Sequence, residues 1–242
     1  MSLLDRFRQS NDKVLLLDGG TGEELFRRGV PDDRQTWSAT AIVNKQYHST
    51  LQAVHKSYID AGSKAITTNS YALVPGFPEE EAIRNTDTAG RLARDCVGTA
   101  QSEGNNHSNI GNSNDDDDES NLREALVLGS LGPLVESYRA DLILPHAEGV
   151  ARYKPLVEAL VPHVDILLAE TMSCFEESAQ AIDACAEHHD TPLLVSYTIG
   201  SDGNLRNGQD VRECVKRLLE CVQERNVERT CTCDGFTAYL CL

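Results

Sequence analysis

The sequence lacks the basic charge that binding to nucleic acid or to an anionic membrane surface requires. Its 242 residues carry 22 lysines and arginines against 38 aspartates and glutamates, a formal net charge of −16. Both of those partners are bound through basic patches, so neither is expected. No run of about 18 apolar residues occurs, so no membrane span is predicted. The opening segment MSLLDRFRQSNDK has no apolar core of a secretory signal, and we expect a cytoplasmic protein.

The sequence also lacks the glycine-rich motifs of nucleotide sites. No G-x-G-x-x-G opens a helix after the first apolar segment, and no G-x-x-x-x-G-K-[ST] is present. Neither motif therefore supports a dinucleotide or nucleoside triphosphate site. S-adenosylmethionine stays open as a ligand, since its sites do not depend on these motifs.

Cysteines are present, but they lack the spacing of a zinc finger. Of the eight cysteines, those in predicted helices are expected to be mostly buried free thiols. They are Cys96, Cys174, Cys185, Cys214 and Cys221. The others, Cys231, Cys233 and Cys241, lie close to the end of the chain. A Cys-x-Cys without a second pair is a weak metal signal.

Apolar segments alternate with helical segments along the chain, which predicts an α/β fold with a parallel sheet covered on both faces. The predicted strands are Val14–Asp18, Ala65–Tyr71, Ala125–Pro133, Asp165–Met172 and Pro192–Ile199. One helix is predicted from Trp37 to Gly62. Polar residues gather at the strand ends: Asp18, Thr68, Asn69, Ser130, Glu170 and Thr198. That position favours a barrel of alternating strands and helices, with an open doubly wound sheet as the alternative.

Two of the predicted strands end in an acidic residue. Asp18 is followed by Gly19 and Gly20, which let the backbone turn and let a ligand approach it closely. An acid followed by bare backbone amides could hold the ammonium and carboxylate of an amino acid. The alternative is that Asp18 only caps the next helix. The fourth strand repeats the pattern and delivers Glu170 to its end.

Residues 101–121 form a low-complexity segment rich in Asn, Ser, Gly and Asp. It has too few large apolar side chains to repay the entropy of ordering, so we expect a disordered acidic insertion at the surface. Its run of aspartates from Asp115 to Asp118 is interpreted as a solvated tract, because it lacks the alternation and glycine of a calcium-binding loop.

Motifs in a fixed order, DGGTGEEL, WSA, VHKSYIDAGSKAITTNSYALVPGF, GSLGP and DILLAETM, together resemble the homocysteine S-methyltransferase family. The resemblance runs from Val14 to Glu224. It implies a (β/α)8 TIM-barrel type of fold, incomplete here, with about five to six strand–helix units present. It also implies transfer of a methyl group from a sulfonium or betaine-type donor to the thiol of homocysteine, forming methionine. The donor itself is not identified by these motifs.

By this resemblance, the substrate-binding residues are Asp18, Gly19, Gly20, Thr68, Asn69 and Glu170. Asp18 and Glu170 would bind the homocysteine ammonium. Gly19 and Gly20 would offer amides to its carboxylate. The family's zinc ion, held by cysteines, would bind the thiol as thiolate. The resemblance implies small-molecule partners, and a homo-oligomer is possible.

The chain departs from the family near its end. The family's zinc cysteines lie in an Asn-Cys step and in a later Gly-Gly-Cys-Cys-Gly segment, and neither is present. We therefore expect one truncated barrel domain over residues 1–242, with an atypical tail at 226–242 that loses periodicity after Val227 and no zinc at family positions. Cys231, Cys233 and Cys241 are weak candidates to replace the zinc ligands.

Three explanations of this departure are open. The favoured one is a truncated or mis-spliced product, and the others are a member that binds ligand without catalysis and a replaced zinc set. Outside the family, a barrel enzyme that uses Asp18 and Glu170 as acid and base is a further hypothesis. An incomplete barrel leaves open sheet edges, so we expect poor solubility or a need for a partner chain.

Overall fold

Parallel strands and helices alternate in the structure, a computed structural model that describes residues 16–33, 36–74, 77–104, 125–226 and 237–241. The strands are β1 (Ala65–Thr67), β2 (Leu126–Leu131), β3 (Ile166–Met172), β4 (Leu193–Thr198) and β5 (Thr237–Cys241). The α-helices are α1 (Thr21–Arg27), α2 (Thr40–Val43), α3 (His48–Asp60), α4 (Glu79–Gly104), α5 (His146–Leu160), α6 (Phe175–Cys185) and α7 (Val211–Asn226). In the described ranges, no helix is long and apolar enough to cross a membrane.

The strands form one parallel sheet in which spatial order equals chain order, β1-β2-β3-β4-β5. Leu17 adds a parallel bridge to Ala65 along the edge of β1 that faces away from β2. A doubly wound sheet would reverse its order at a switch point, whereas a barrel keeps chain order all the way round. The fold is therefore the predicted α/β barrel type. It is incomplete over the described residues, where Leu17 and β5 lie at opposite edges.

The first predicted strand is only partly described, because residues 14 and 15 lie outside the described ranges. The amide of Lys64 donates to the carbonyl of Leu16 (2.8 Å), and the amide of Asp18 donates to the carbonyl of Ala65 (3.1 Å). Leu16 and Leu17 are each 51 % exposed. The expectation that this strand is covered on both faces was wrong for these two residues, because they lie at the edge of the described sheet.

Side chains on alternate strand positions enter two different parts of the core. Leu126 and Leu128 of β2 pack with Ile166 of β3 on the inner face of the sheet. Val127 packs on the outer face with Ala93 of α4. This period of two explains why the strands are apolar without interruption. Continued along β2 and β3, the same alternation assigns positions 130 and 170 to the inner face, at the carboxyl ends of the strands.

The predicted helix from Trp37 to Gly62 is interrupted in the structure. Short 3₁₀ turns at Trp37–Ala39 and Lys45–Tyr47 flank α2, and α3 follows. Asn44 causes the second break, because its backbone is extended (φ −100°, ψ 105°) and its side chain accepts from the amide of Gln46. Gly62 follows the end of α3 with φ +98°, as predicted for a C-cap glycine.

The structure differs from the predicted boundaries in two further places. Helix α4 continues to Gly104, so the first four residues of the predicted insertion are helical, and residues 105–121 lie outside the described ranges. The tail contains β5, whose pairing with β4 runs from Leu194↔Thr237 to Thr198↔Cys241. Loss of periodicity after Val227 did not predict this strand, because five residues are too few to establish a pattern.

Candidate functional site

Asp18, at the end of the first predicted strand, is held by Thr67 of the neighbouring strand β1. Its Oδ2 accepts from the backbone amide of Thr67 (2.7 Å) and its Oδ1 accepts from the Thr67 hydroxyl (2.9 Å). The N-cap of α1 is Gly20, and no side chain caps that helix. The alternative that Asp18 serves only as a helix cap is therefore wrong. The half-buried carboxylate instead links two strand ends.

The two glycines after Asp18 have different surroundings. A Cβ added to Gly19 would lie 3.0 Å from Cε1 and 3.1 Å from Oη of Tyr58. A Cβ on Gly20 would meet no atom closer than the Glu23 Cβ at 3.9 Å. The absence of a side chain at Gly19 thus lets Tyr58 pack directly against the backbone beside Asp18. The proposed contact of both amides with a substrate carboxylate stays a prediction.

Thr68, Ser70 and Ser130 form a buried hydroxyl network between β1 and β2. The hydroxyl of Ser70 donates to the carbonyl of Ser130 (2.7 Å), and the Ser130 amide donates to Oγ1 of Thr68 (2.9 Å). The hydroxyls of Thr68 and Ser70 are 2.9 Å apart. Each of these residues is at most 3 % exposed. Thr68 therefore lies at the predicted strand end, but its hydroxyl is already engaged by protein groups.

Asn69 joins the strand-end region to the WSA segment. Its Nδ2 donates to the carbonyl of Ser38 (2.7 Å), and the side chain is buried. This bond connects two motifs that are 31 residues apart in the chain. Asn69 thus lies beside the other strand-end residues, and a direct contact with substrate stays a prediction.

Glu170 projects from β3 next to a local irregularity of the strand. Its Oε1 accepts a short hydrogen bond from the Ser130 hydroxyl (2.5 Å). The register between β3 and β4 shifts between Ala169 and Met172, and Thr171 has φ +66°. A positive φ is unfavourable for a β-branched residue, and such strain is found preferentially at functional sites. The irregularity therefore lies directly beside the carboxylate that the sequence singled out.

The two acids interact electrostatically. Burial raises the pKa of Asp18, although hydrogen bonds from Thr67 oppose this. Burial also raises the pKa of Glu170, the Ser130 hydroxyl lowers it, and the charge of Asp18 raises it further. Neither acid forms a salt bridge with any residue of the described ranges. Such a pair of uncompensated carboxylates is suited to bind a small cation, such as an ammonium group.

Sequence reasoning underestimated four residues around these acids. Ser130 and Thr67 were noted only as polar residues at strand ends, and Tyr58 and Tyr71 were not singled out. The hydroxyl of Tyr71 is 2.6 Å from that of Ser137, and its pKa is raised mainly by burial and also by the charge of Glu170. A check of strand alternation would have identified Ser130, whereas nothing in the local sequence indicates where Tyr58 and Tyr71 pack.

The described residues do not fit a zinc site. Over the described ranges, no group of three or more His, Cys, Asp or Glu side chains could hold a metal ion. Burial raises the pKa of Cys174 and Cys185 to about 12, which disfavours the thiolate form that a metal ligand requires. Cys231 and Cys233 lie outside the described residues, and only the backbone of Cys241 is described.

Comparisons with known proteins agree on one family. The family model described as homocysteine S-methyltransferase matches residues 15–232. The homocysteine S-methyltransferase YbgG of Bacillus subtilis is 22 % identical over 232 residues, which cover 90 % of this chain and 69 % of that protein. An Escherichia coli homocysteine S-methyltransferase is 26 % identical over 218 residues, covering 85 % of this chain and 65 % of that protein.

The fold is also similar to that of a solved structure. The metallated form of the homocysteine methyltransferase MmuM from Escherichia coli superimposes with a TM-score of 0.73 at 25 % sequence identity. The match covers 89 % of this chain and 73 % of MmuM. The chain is therefore shorter than these relatives and matches roughly two thirds to three quarters of each.

Proposed function

The chain belongs to the homocysteine S-methyltransferase family, and we propose that it binds homocysteine between Asp18 and Glu170. The reaction to which this binding belongs is transfer of a methyl group from a sulfonium or betaine-type donor to the homocysteine thiol, which forms methionine. In this proposal the two carboxylates hold the ammonium, and the amides of Gly19 and Gly20 hold the carboxylate. Thr68 and Asn69 belong to the strand-end segment that completes the substrate-binding site.

The observation that carries this proposal is that two acids close enough to interact form no ion pair with a cation in the described part of the chain. Each acid loses part of its hydration through burial, and the charge of Asp18 further disfavours the ionised form of Glu170. An ammonium group placed between them would remove both penalties. A zwitterionic amino acid supplies that cation together with a carboxylate for the bare backbone beside Asp18.

Methyl transfer needs an activated thiol as well as a bound substrate. A free thiol has a pKa of about 8.5 and is mostly protonated at neutral pH. In the resemblance stated above, zinc supplies the activation, because a metal-bound thiol loses its proton. Since the described residues provide no such donor group, a second candidate function is supported: a family member that binds homocysteine without turning it over.

Three measurements on the 242-residue chain separate these functions. Calorimetric titration with homocysteine tests binding, and we expect the affinity to fall in Glu170→Gln. Metal analysis by mass spectrometry tests for zinc, and an assay with betaine, S-methylmethionine or S-adenosylmethionine tests turnover. Binding without zinc or turnover supports the binding-only function. Stoichiometric zinc that disappears in Cys231→Ser would support the replaced set Cys231, Cys233 and Cys241 and would favour catalysis.

The proposal also covers the cellular location and the partners of the protein. We propose a cytoplasmic protein that acts on small molecules and binds neither nucleic acid nor membranes, with homo-oligomer formation left open. The net charge of −16 supports this, because it opposes binding to anionic polymers and surfaces.

A further inference from the structure

The hydroxyl network beside Glu170 has a defined direction. A hydroxyl carries one hydrogen, and that of Ser70 is used on the carbonyl of Ser130. Across the contact of 2.9 Å, Thr68 must therefore donate to Ser70. The same Thr68 oxygen accepts from the amide of Ser130. Every hydrogen of this network is thus assigned by the partners that surround it.

Ser130 is the point at which this network meets the candidate site. Its amide and its carbonyl are both held by the network, so the backbone of Ser130 is fixed on two sides. Its own hydroxyl is left to donate to Oε1 of Glu170. An ionised carboxylate can only accept hydrogen bonds, so this arrangement matches the charged form of Glu170.

We propose that Ser130 is a positioning residue that holds the Glu170 carboxylate in its ionised, substrate-binding orientation, and that Thr68 acts through Ser130 rather than by contacting the substrate. The inference rests on the proposed function and deepens it by assigning separate roles to residues of one site. Oε2 of Glu170 has no hydrogen bond to the described residues, so in this proposal it is the oxygen left to accept from the ammonium. Thr68, buried and already engaged, contributes only to the placement of Ser130.

Few titratable groups among the described residues act on Glu170. Asp18 raises the pKa of Glu170 through its negative charge, and Ser130 lowers it by hydrogen bonding. Tyr71 is close enough for the charge of Glu170 to raise the pKa of Tyr71, and it stays neutral over the working range. Removal of the Ser130 hydroxyl would leave burial and Asp18 unopposed. The pKa of Glu170 would then rise.

The first test needs no ligand. Carbon-13 NMR titration of the side-chain carboxyls, with the signal of Glu170 assigned by its disappearance in Glu170→Gln, reports the pKa directly. We expect Ser130→Ala to raise the pKa of Glu170 by about one pH unit. Ser178→Ala is the matched control, because it also removes a buried hydroxyl, which contacts Tyr197 (2.6 Å) on the outer side of the sheet.

The second test measures homocysteine affinity against pH. In Ser130→Ala we expect the acid limb of the binding profile to move to higher pH by the same shift, with about tenfold weaker binding at pH values well below the wild-type pKa of Glu170. Thr68→Val should move the limb in the same direction, and Thr68→Ser, which keeps the hydroxyl, should restore it. Ser178→Ala should leave the limb unmoved even if it lowers the melting temperature.

The outcomes distinguish this inference from the proposed function. An unchanged pKa of Glu170 in folded Ser130→Ala would overturn the positioning role, whatever the chain binds. If Thr68→Val weakened binding equally at all pH values without changing the pKa, Thr68 would be a substrate contact and its assigned role would be wrong. If Ser130→Ala raises the pKa of Glu170 but the wild-type chain binds no homocysteine, the role of Ser130 would be supported and the proposed function overturned.

Discussion

The acids at the strand ends and the buried histidine of the core differ in burial and in hydrogen bonding. Asp18 and Glu170 are half-buried and are hydrogen-bonded by Thr67 and Ser130. Burial raises the pKa of both acids, and the charge of Asp18 raises that of Glu170 further. His55, by contrast, is fully buried, and neither of its ring nitrogens has a hydrogen-bond partner in the described residues. The surroundings of the strand-end acids thus leave them accessible to the proposed ligand, whereas the surroundings of His55 favour its neutral form.

Replacement of Glu170 should give the largest effect at the strand ends. Glu170→Gln keeps an acceptor for Ser130 and removes the charge, so we expect homocysteine affinity to fall by about tenfold to a hundredfold. Calorimetric titration measures this. Glu187→Gln is the control, because Glu187 is exposed and paired with Lys154 (2.7 Å) away from the site. Equal affinities of wild type and Glu170→Gln would disprove the role of the charge.

The same variant should be more stable than the wild type at neutral pH. The folded-state pKa of Glu170 is raised, so its stabilising contribution is complete below the unfolded pKa and is lost as pH rises through the folded value. A neutral glutamine avoids that loss. Urea unfolding at pH 5 and pH 8 should show a larger advantage of the variant at the higher pH. A constant difference would contradict the sign of the shift.

His55 should lower the stability of the protein as pH falls, which is the opposite pH dependence to that contributed by Glu170. Burial lowers its pKa to about 4, so the unfolded chain binds a proton more readily, and stability falls as pH drops from about 6.5 towards 4. The full effect is about 3 kcal/mol in the free energy of unfolding. We expect His55→Leu to flatten this part of the pH–stability curve. An unchanged slope in the variant would show that other groups cause the acid sensitivity.

The two glycines beside Asp18 allow a sharper comparison within the strand-end region. Gly19→Ala places a Cβ 3.0 Å from the Tyr58 ring, so we expect a loss of about 1–2 kcal/mol in unfolding free energy. Gly20→Ala, with nothing closer than 3.9 Å, should be nearly neutral for stability. Chemical denaturation measures both variants. A second change, Tyr58→Leu, should recover part of the loss only in the Gly19 variant.

The smallest expected effect concerns metal. If the chain holds no zinc, a chelator should leave the unfolding midpoint of the 242-residue chain unchanged. Thermal melting with and without EDTA measures this, and added zinc serves as the reverse control. A chelator-dependent fall of several degrees would indicate a stabilising metal ion, in which case Cys231, Cys233 and Cys241 would be the first residues to substitute.

Much of the architecture could be predicted from local patterns. The strand ends at Asp18 and Glu170 were recognised because apolar runs stop at them, and parallel strands bring their carboxyl ends to one edge. The interruption at Asn44 was missed, because apolar residues keep helical spacing across a single extended residue. Strand β5 was missed as well, because it is short and its partner lies elsewhere in the chain.

The residues alone were enough to predict the alternation of strands and helices as far as α7, the family, and the position of the two acids at strand ends. These features follow from periodicity and motif spacing, which are properties of neighbouring residues. The partners of each site residue depended on the three-dimensional arrangement. Ser130 and Glu170 are 40 residues apart, and Thr68 and Ser130 are 62 apart. Only the register between strands decides which hydroxyl reaches which carboxylate, because a shift of one residue would turn each side chain to the other face.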